Sequence, residues 1–259
     1  MKEDQSGMLK PQELPTAGLL NTKYSRFIIY PLKDGEDEAQ SRVQELSSIG
    51  ITKLRFEGST LVDGVPVLGK GTVGLVVQAS LDKAPVALKI RRMDTDRPSF
   101  YEEGRLLRLA NSVDVGPRLI TVTRNFLVME LINGLPLFRW VEQKNSRTQV
   151  RGVLHGLLRD CFKLDVIGLD HGELSHAPRN VLVNSKGKGC IVDFESASTS
   201  RRVANVTSLI QYFLFGQLAR KLEARLYRSR RTVLKTLSEY KQDGSVESFQ
   251  SIIETLGLN

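Results

Sequence analysis

The chain has 259 residues, with 37 lysines and arginines against 29 acids and a formal charge of +8. Its length and 41% hydrophobic content are those of an ordinary globular protein, one large domain or two small ones with a proper core. The charge suits phosphate-rich partners such as nucleotides, RNA or a ribosome surface, or simply a soluble basic protein. The two cysteines and three histidines lack the spacing of a disulfide framework or transition-metal site, which excludes those classes.

In chain order, residues 1–25 are polar and read as a loose arm without a signal-peptide core. "RFIIYP" (26–31) predicts a short strand. "EDEAQSRVQELSSIG" (36–50) predicts a helix through Val43, Leu46 and Ile49, ended by Gly50, and "KLRFEG" (53–58) a second strand. Residues 65–132 read as a sheet with one inserted helix. Its strands fall in "VPVLGKGTVGLVVQASL" (65–81), "APVALKIRR" (84–92) and "RLITVTRNFLVMELI" (118–132), and its helix in "SFYEEGRLLRLANSV" (99–113). After "NGLPL" (133–137) the pattern turns helical over 138–144 and 147–168. Two β runs follow, "NVLVN" and "GCIVDFE", then a helical C-terminus from about Val203. Cys161 and Cys190 read as buried core thiols. "SLIQYFLFGQLA" (208–219) is too short to span a bilayer, so the chain reads as a soluble, cytoplasmic protein.

Gly69, Gly71 and Gly74 fall as G-x-G-x-x-G, with Val76 two residues on. A dinucleotide fold needs a helix directly after the last glycine. Here "LVVQAS" follows, a strand, and a glycine loop between two strands is the protein-kinase arrangement. Lys89 in "VALKI" stands on the next strand. With period two it shares a face with Ala87, whose small side chain leaves room for an adenine ring. Of the acids Glu102 and Glu103, the second adjoins the apolar stripe of Leu106 and Leu107, which makes it the partner expected for Lys89.

These pieces, with "LVMELINGLPL", "HGEL…NVLV" and "IVDFESAS", stand in the order of a protein kinase-like fold. The chain resembles the RIO-type and related archaeal predicted serine/threonine protein kinases. The resemblance covers residues 65–200. It implies an α+β, bilobal fold: an extension over 1–60, a small β-rich lobe with one key helix over 61–132, and a reduced helical lobe over 133–259. It also implies ATP and Mg²⁺ as cofactors. Gly69, Lys70, Gly71, Gly74, Val76, Ala87 and Lys89 would line the nucleotide, with Met129 as gatekeeper and Glu130 to Ile132 as the adenine-binding hinge. Asp193 and Asn180 would bind Mg²⁺, although Glu195 stands where the usual D-F-G has glycine.

The loop at 169–183 departs from the family. Its acid is Glu173, not aspartate, and six residues separate it from Asn180 where the kinase loop has four. Glu173 is still a carboxylate able to take a hydroxyl proton, provided the longer loop sets its backbone back. No A-P-E and no long activation segment follow "DFESAS". The expected function is an atypical serine/threonine protein kinase. The alternatives are a nucleotide-binding scaffold on an RNA–protein particle and a small-molecule kinase. Arg220, Lys221, Arg225, Arg228, Arg230, Arg231 and Lys235 lie in "RKLEARLYRSRRTVLK" (220–235), read either as a solvated helix or as a dock for RNA or a ribosomal particle.

Overall fold

The computed structural model describes residues 11–32, 34–176, 180–216, 218–223 and 229–259. It divides into two compact units, Met1–Arg105 with Arg118–Leu131, and Leu106–Pro117 with Ile132–Asn259.

The first unit holds β1 (Gln12–Pro15), α1 (Glu36–Ser48), β2 (Ile51–Phe56), β3 (Thr60–Val62), β4 (Val65–Val67), β5 (Gly69–Lys70), β6 (Gly74–Leu81), β7 (Ala84–Arg91), the start of α2 (Tyr101–Asn111), β8 (Leu119–Val122) and β9 (Phe126–Glu130). The main sheet runs β1-β2-β6-β7-β9-β8, with β5 on β6. Every pairing in it is antiparallel. Period-two alternation gives this sheet two different faces. Leu75, Val77, Leu88, Ile90, Phe126 and Val128 point into one core, where Leu19, Tyr24, Phe27, Ile28, Val43 and Leu46 of the N-terminal segment meet them. The opposite face carries Val76, Ala87, Lys89 and Met129. In the ladder Val76 stands opposite Lys89, and Ala87 opposite Met129.

The segment read as an extension therefore shares the sheet and core of the strands that follow it. Two elements differ from expectation. Residues 11–25 are not a loose arm: they form β1 and a 3₁₀ turn that buries Thr16 and Leu19. "RFIIYP" is not a strand but a 3₁₀ turn over Ser25–Phe27 followed by turns. Phe27, Ile28 and Ile29 are buried in succession, which a strand half-exposed on one face would not do.

The second unit holds β10 (Gly134–Pro136), α3 (Leu137–Glu142), α4 (Arg147–Val166), β11 (Val181–Asn184), β12 (Gly189–Ile191), α5 (Asn205–Phe215), α6 (Ala219–Glu223), α7 (Arg230–Asp243) and α8 (Val246–Thr255), along with the end of α2. β10, β11 and β12 form a small antiparallel sheet. α4 opens on a capping box between Ser146 and Gln149 and buries Val150, Val153, Leu154, Leu157, Leu158, Cys161 and Leu164. Near its end Asp165 accepts from the backbone N–H groups of Asn205 and Val206, from the Asn205 amide and from the Tyr240 hydroxyl. One carboxylate thus caps α5 and ties α7 to α4.

The expected basic helix over 220–235 is instead two helices, α6 and α7, and Arg225 and Arg228 lie outside the described residues. Cys161 is a buried thiol as expected, but Cys190 is only half-buried. Among the described residues no helix is long and apolar enough to cross a membrane.

Candidate functional site

In the first unit Lys89 Nζ donates to Glu103 Oε1 at 2.8 Å, and both side chains are buried, 3% and 5% exposed. β7 delivers the lysine and the first turn of α2 the acid. Glu102 faces solvent and pairs with Arg105 instead. Val76, Ala87 and Met129 surround Lys89 on the same sheet face. Glu130 is exposed, and its carboxylate accepts from Arg118 N–H. Ile132 is half-buried and falls in the second unit.

The three glycines have different physical reasons. None of Gly69, Gly71 and Gly74 has a positive φ, so none is required by a left-handed backbone. A Cβ on Gly69 would meet only Val76, at 3.9 Å, which leaves that position open toward a ligand. A Cβ on Gly74 would lie 2.9 Å from Lys89 Cγ and 3.0 Å from the Ile90 carbonyl. The third glycine is thus what lets the Lys89 stem lie across β6. Gly71 N–H donates to Gly74 O at 2.8 Å, and Arg92 holds the loop by donating to the Gly71 carbonyl. Lys70 donates to the Tyr30 hydroxyl at 2.7 Å and lies over its ring, with the Arg92 guanidinium also over that ring. No local pattern in the sequence points to Tyr30 or Arg92 as supports of this loop.

In the second unit Glu173 and Asn180 meet: Asn180 Nδ2 donates to Glu173 Oε2 at 3.1 Å. Ser196 Oγ donates to the other carboxylate oxygen at 2.5 Å. Asn180 also fixes the segment bearing Asp193, since its carbonyl accepts from Val192 N–H. Asp193 lies in the left-handed region, φ +66°, a strained setting that non-glycine residues keep where surroundings over-determine it. His171 is fully buried, with its backbone N–H on the Asn205 amide oxygen and its ring edge-on to Phe194. Its Nε2 faces the Val192 carbonyl, which can only accept, so Nε2 carries the proton. Burial holds this imidazole below its ordinary pKa and so neutral, a structural brace. Arg201 adds a further brace by donating to the Asp170 carboxylate and the Ser196 carbonyl. Ser196, Arg201 and Asn205 escape sequence reading, because their partners lie more than 20 residues away.

A carboxylate and an amide oxygen are hard donors of the kind Mg²⁺ takes, usually with phosphates and water completing its shell. Asn180 spends its N–H on Glu173, which leaves Oδ1 as its acceptor. Asp193 and Asn180 therefore fit such an ion in chemistry.

The family model of the RIO domain matches residues 81–209. That span includes Lys89, Glu103, Glu173, Asn180 and Asp193, and it begins after the glycines. The chain is 27% identical over 153 residues to a probable dual specificity protein kinase, a YAK1 homolog, of Encephalitozoon cuniculi, covering 52% of this chain and 36% of that protein. It thus spans about a third of that kinase's length. It is also 33% identical over 89 residues to an uncharacterized protein of Methanocaldococcus jannaschii, covering 34% of this chain and 73% of that one.

Proposed function

This chain belongs to the RIO-type, protein kinase-like family, and on that premise we propose that it is an ATP- and Mg²⁺-dependent phosphotransferase acting on serine or threonine of a protein. The observation that carries the reading is the buried Lys89–Glu103 pair on the sheet face with Val76, Ala87 and Met129. A buried lysine paired with a carboxylate, beside small and apolar neighbours, is suited to receive nucleotide phosphates. The open position at Gly69 supports a close approach of backbone to phosphate. Met129, Glu130 and Ile132 would hold adenine. Asp193 and Asn180 would hold Mg²⁺, which when bound neutralises phosphate charge. Glu173 would accept the proton of the attacking hydroxyl as its oxygen bonds to the γ-phosphorus and ADP departs. Catalysis would rest mainly on positioning and charge neutralisation.

The test is phosphate transfer from labelled ATP to ribosomal fractions, mixed protein and small metabolites, in wild type and Glu173→Gln. The reading expects transfer to protein and a loss of roughly 100-fold or more in Glu173→Gln, the lower end of what general base catalysis supplies, with ATP binding kept. Transfer to metabolites alone would make it a small-molecule kinase. ATP binding with no transfer would favour a nucleotide-binding scaffold on an RNA–protein particle. The basic side chains of α6 and α7 speak for that second reading only weakly, since Lys221 pairs with Glu142 and Lys235 with Glu239.

A further inference from the structure

We propose that Ser196 is a positioning residue for Glu173, the group that lets a glutamate stand where kinase loops carry aspartate. The proposal rests on the reading of Glu173 as the base. Glutamate has one more rotatable bond than aspartate, and its terminal torsion is broad. A base that wanders by about 1 Å loses roughly 100-fold in rate. Here both oxygens are held. Oε1 accepts from Ser196 Oγ at 2.5 Å and Oε2 from Asn180 Nδ2 at 3.1 Å. Two donors on different chain segments remove the freedom that the extra methylene adds. A carboxylate oxygen has two lone-pair sites, so the Ser196 bond leaves Oε1 able to receive a substrate proton.

Ser196 is itself anchored. Its carbonyl accepts from Arg201 Nη2 at 2.5 Å, while Arg201 Nε donates to Asp170 Oδ2 at 3.0 Å. Asp170 and Ser198 exchange backbone bonds at 2.8 and 2.9 Å. Gly172, at φ +89°, lies in the bend between: a Cβ there would be 2.7 Å from the Ser196 carbonyl and 2.5 Å from Arg201 Nη2. The loop that carries the acid and the segment that carries the serine are therefore fitted to one another at four places. The serine's hydroxyl takes no part in bond making: the substrate oxygen bonds to phosphorus, its proton goes to Glu173, and ADP leaves.

The experiment compares wild type, Ser196→Ala, Ser196→Thr and Glu173→Gln, with Mg²⁺-ATP and myelin basic protein as acceptor. In Ser196→Ala, kcat should fall about tenfold or more with KM for ATP and the melting temperature unchanged. Ser196→Thr, which keeps the hydroxyl, should recover most of the rate. If Ser196→Ala matches wild type while Glu173→Gln is inactive, the base reading stands and the positioning role is wrong. If Glu173→Gln also matches wild type, the base reading fails and takes this proposal with it. Phosphate found on Ser196 by mass spectrometry would make it an acceptor and likewise overturn the role. A crystal structure of Ser196→Ala gives a readout independent of turnover: the Glu173 carboxylate should leave the Asn180 amide, and an unmoved carboxylate would refute the proposal.

Discussion

Removing one partner of the buried Lys89–Glu103 pair is not a neutral probe of nucleotide binding. It takes this partner from a buried charge, and breaking such a pair typically costs about 3–5 kcal/mol, whereas replacing both by apolar groups is often neutral. Lys89→Ala should therefore lose ATP affinity and melting temperature together. Lys89→Met with Glu103→Leu should regain the melting temperature and still fail to bind ATP in calorimetry. Normal ATP affinity in that double variant would remove Lys89 from the nucleotide site. Gly74→Ala supplies a second probe, because its Cβ would press on the Lys89 stem at 2.9 Å while a Cβ on Gly69 has room. ATP affinity should drop about tenfold or more in Gly74→Ala, as expected of a displaced binding group. Unchanged ATP affinity in Gly74→Ala would mean that the Lys89 stem does not set this glycine requirement. Lys89, Glu103 and the glycines were legible in the sequence, because a strand's period and a helix's stripe are local. Gly74's particular reason was not, since the atom it must avoid belongs to the neighbouring strand.

At the scale of elements, α4 was readable from its apolar period and the polar break before it, and β7 from its apolar run with Val86 and Ile90. "RFIIYP" was misread because its apolar run is equally what a fully buried turn needs, and the contacts that decide come from Arg42 and the sheet. The helix expected over 220–235 failed for another reason: composition gives no phase, so a run of arginines does not show the break at Ser229, whose extended backbone opens α7. α4 also carries a pH-dependent cost. Burial pushes the Asp160 carboxyl up to about 6, against the opposing pull of Lys163, Lys188 and Arg159. A carboxyl raised in the folded state is protonated there while the unfolded chain has already lost its proton. Stability must then decline as pH rises from about 4 to about 6, and stay at the lower level above that. At about 1.4 kcal/mol per pKa unit the decline is at most about 3 kcal/mol. Asp160→Asn should raise the melting temperature at pH 7 and flatten the profile between pH 4 and 6. An unchanged profile in urea titrations at these pH values would show that Asp160 is solvated.

For the molecule as a whole, the ordered motifs from the glycines to Asp193 were enough to give the fold class, yet they said nothing of what covers the back of the first unit's sheet. That cover is the N-terminal segment, and it is bonded as well as packed. Arg42 of α1 is fully buried and donates to Glu38, to the carbonyls of Ile28 and Arg91, and to the Asn125 side chain. Glu45 accepts from Asn125 N–H and its amide, so the turn between β8 and β9 hangs on α1. Tyr24 and Phe27 pack on Phe56 of β2, with ring centres 4.9 and 5.3 Å away. A chain begun at residue 61, the expected start of the kinase lobe, would lack β1, α1 and β2. It would expose Leu75, Val77, Leu88, Ile90, Phe126 and Val128 together with an unpaired edge of β6, which is the combination that drives sheet aggregation. Residues 61–259 should thus be insoluble, or bind a hydrophobic dye and melt without cooperativity, while the full chain should fold. Arg42→Met in the full chain should leave the buried Ile28 and Arg91 carbonyls short of a donor, and so lower stability by about 3–5 kcal/mol in urea unfolding. If 61–259 instead melts cooperatively and binds ATP as the longer chain does, the N-terminal segment is a separate extension and its shared core carries no weight in the fold.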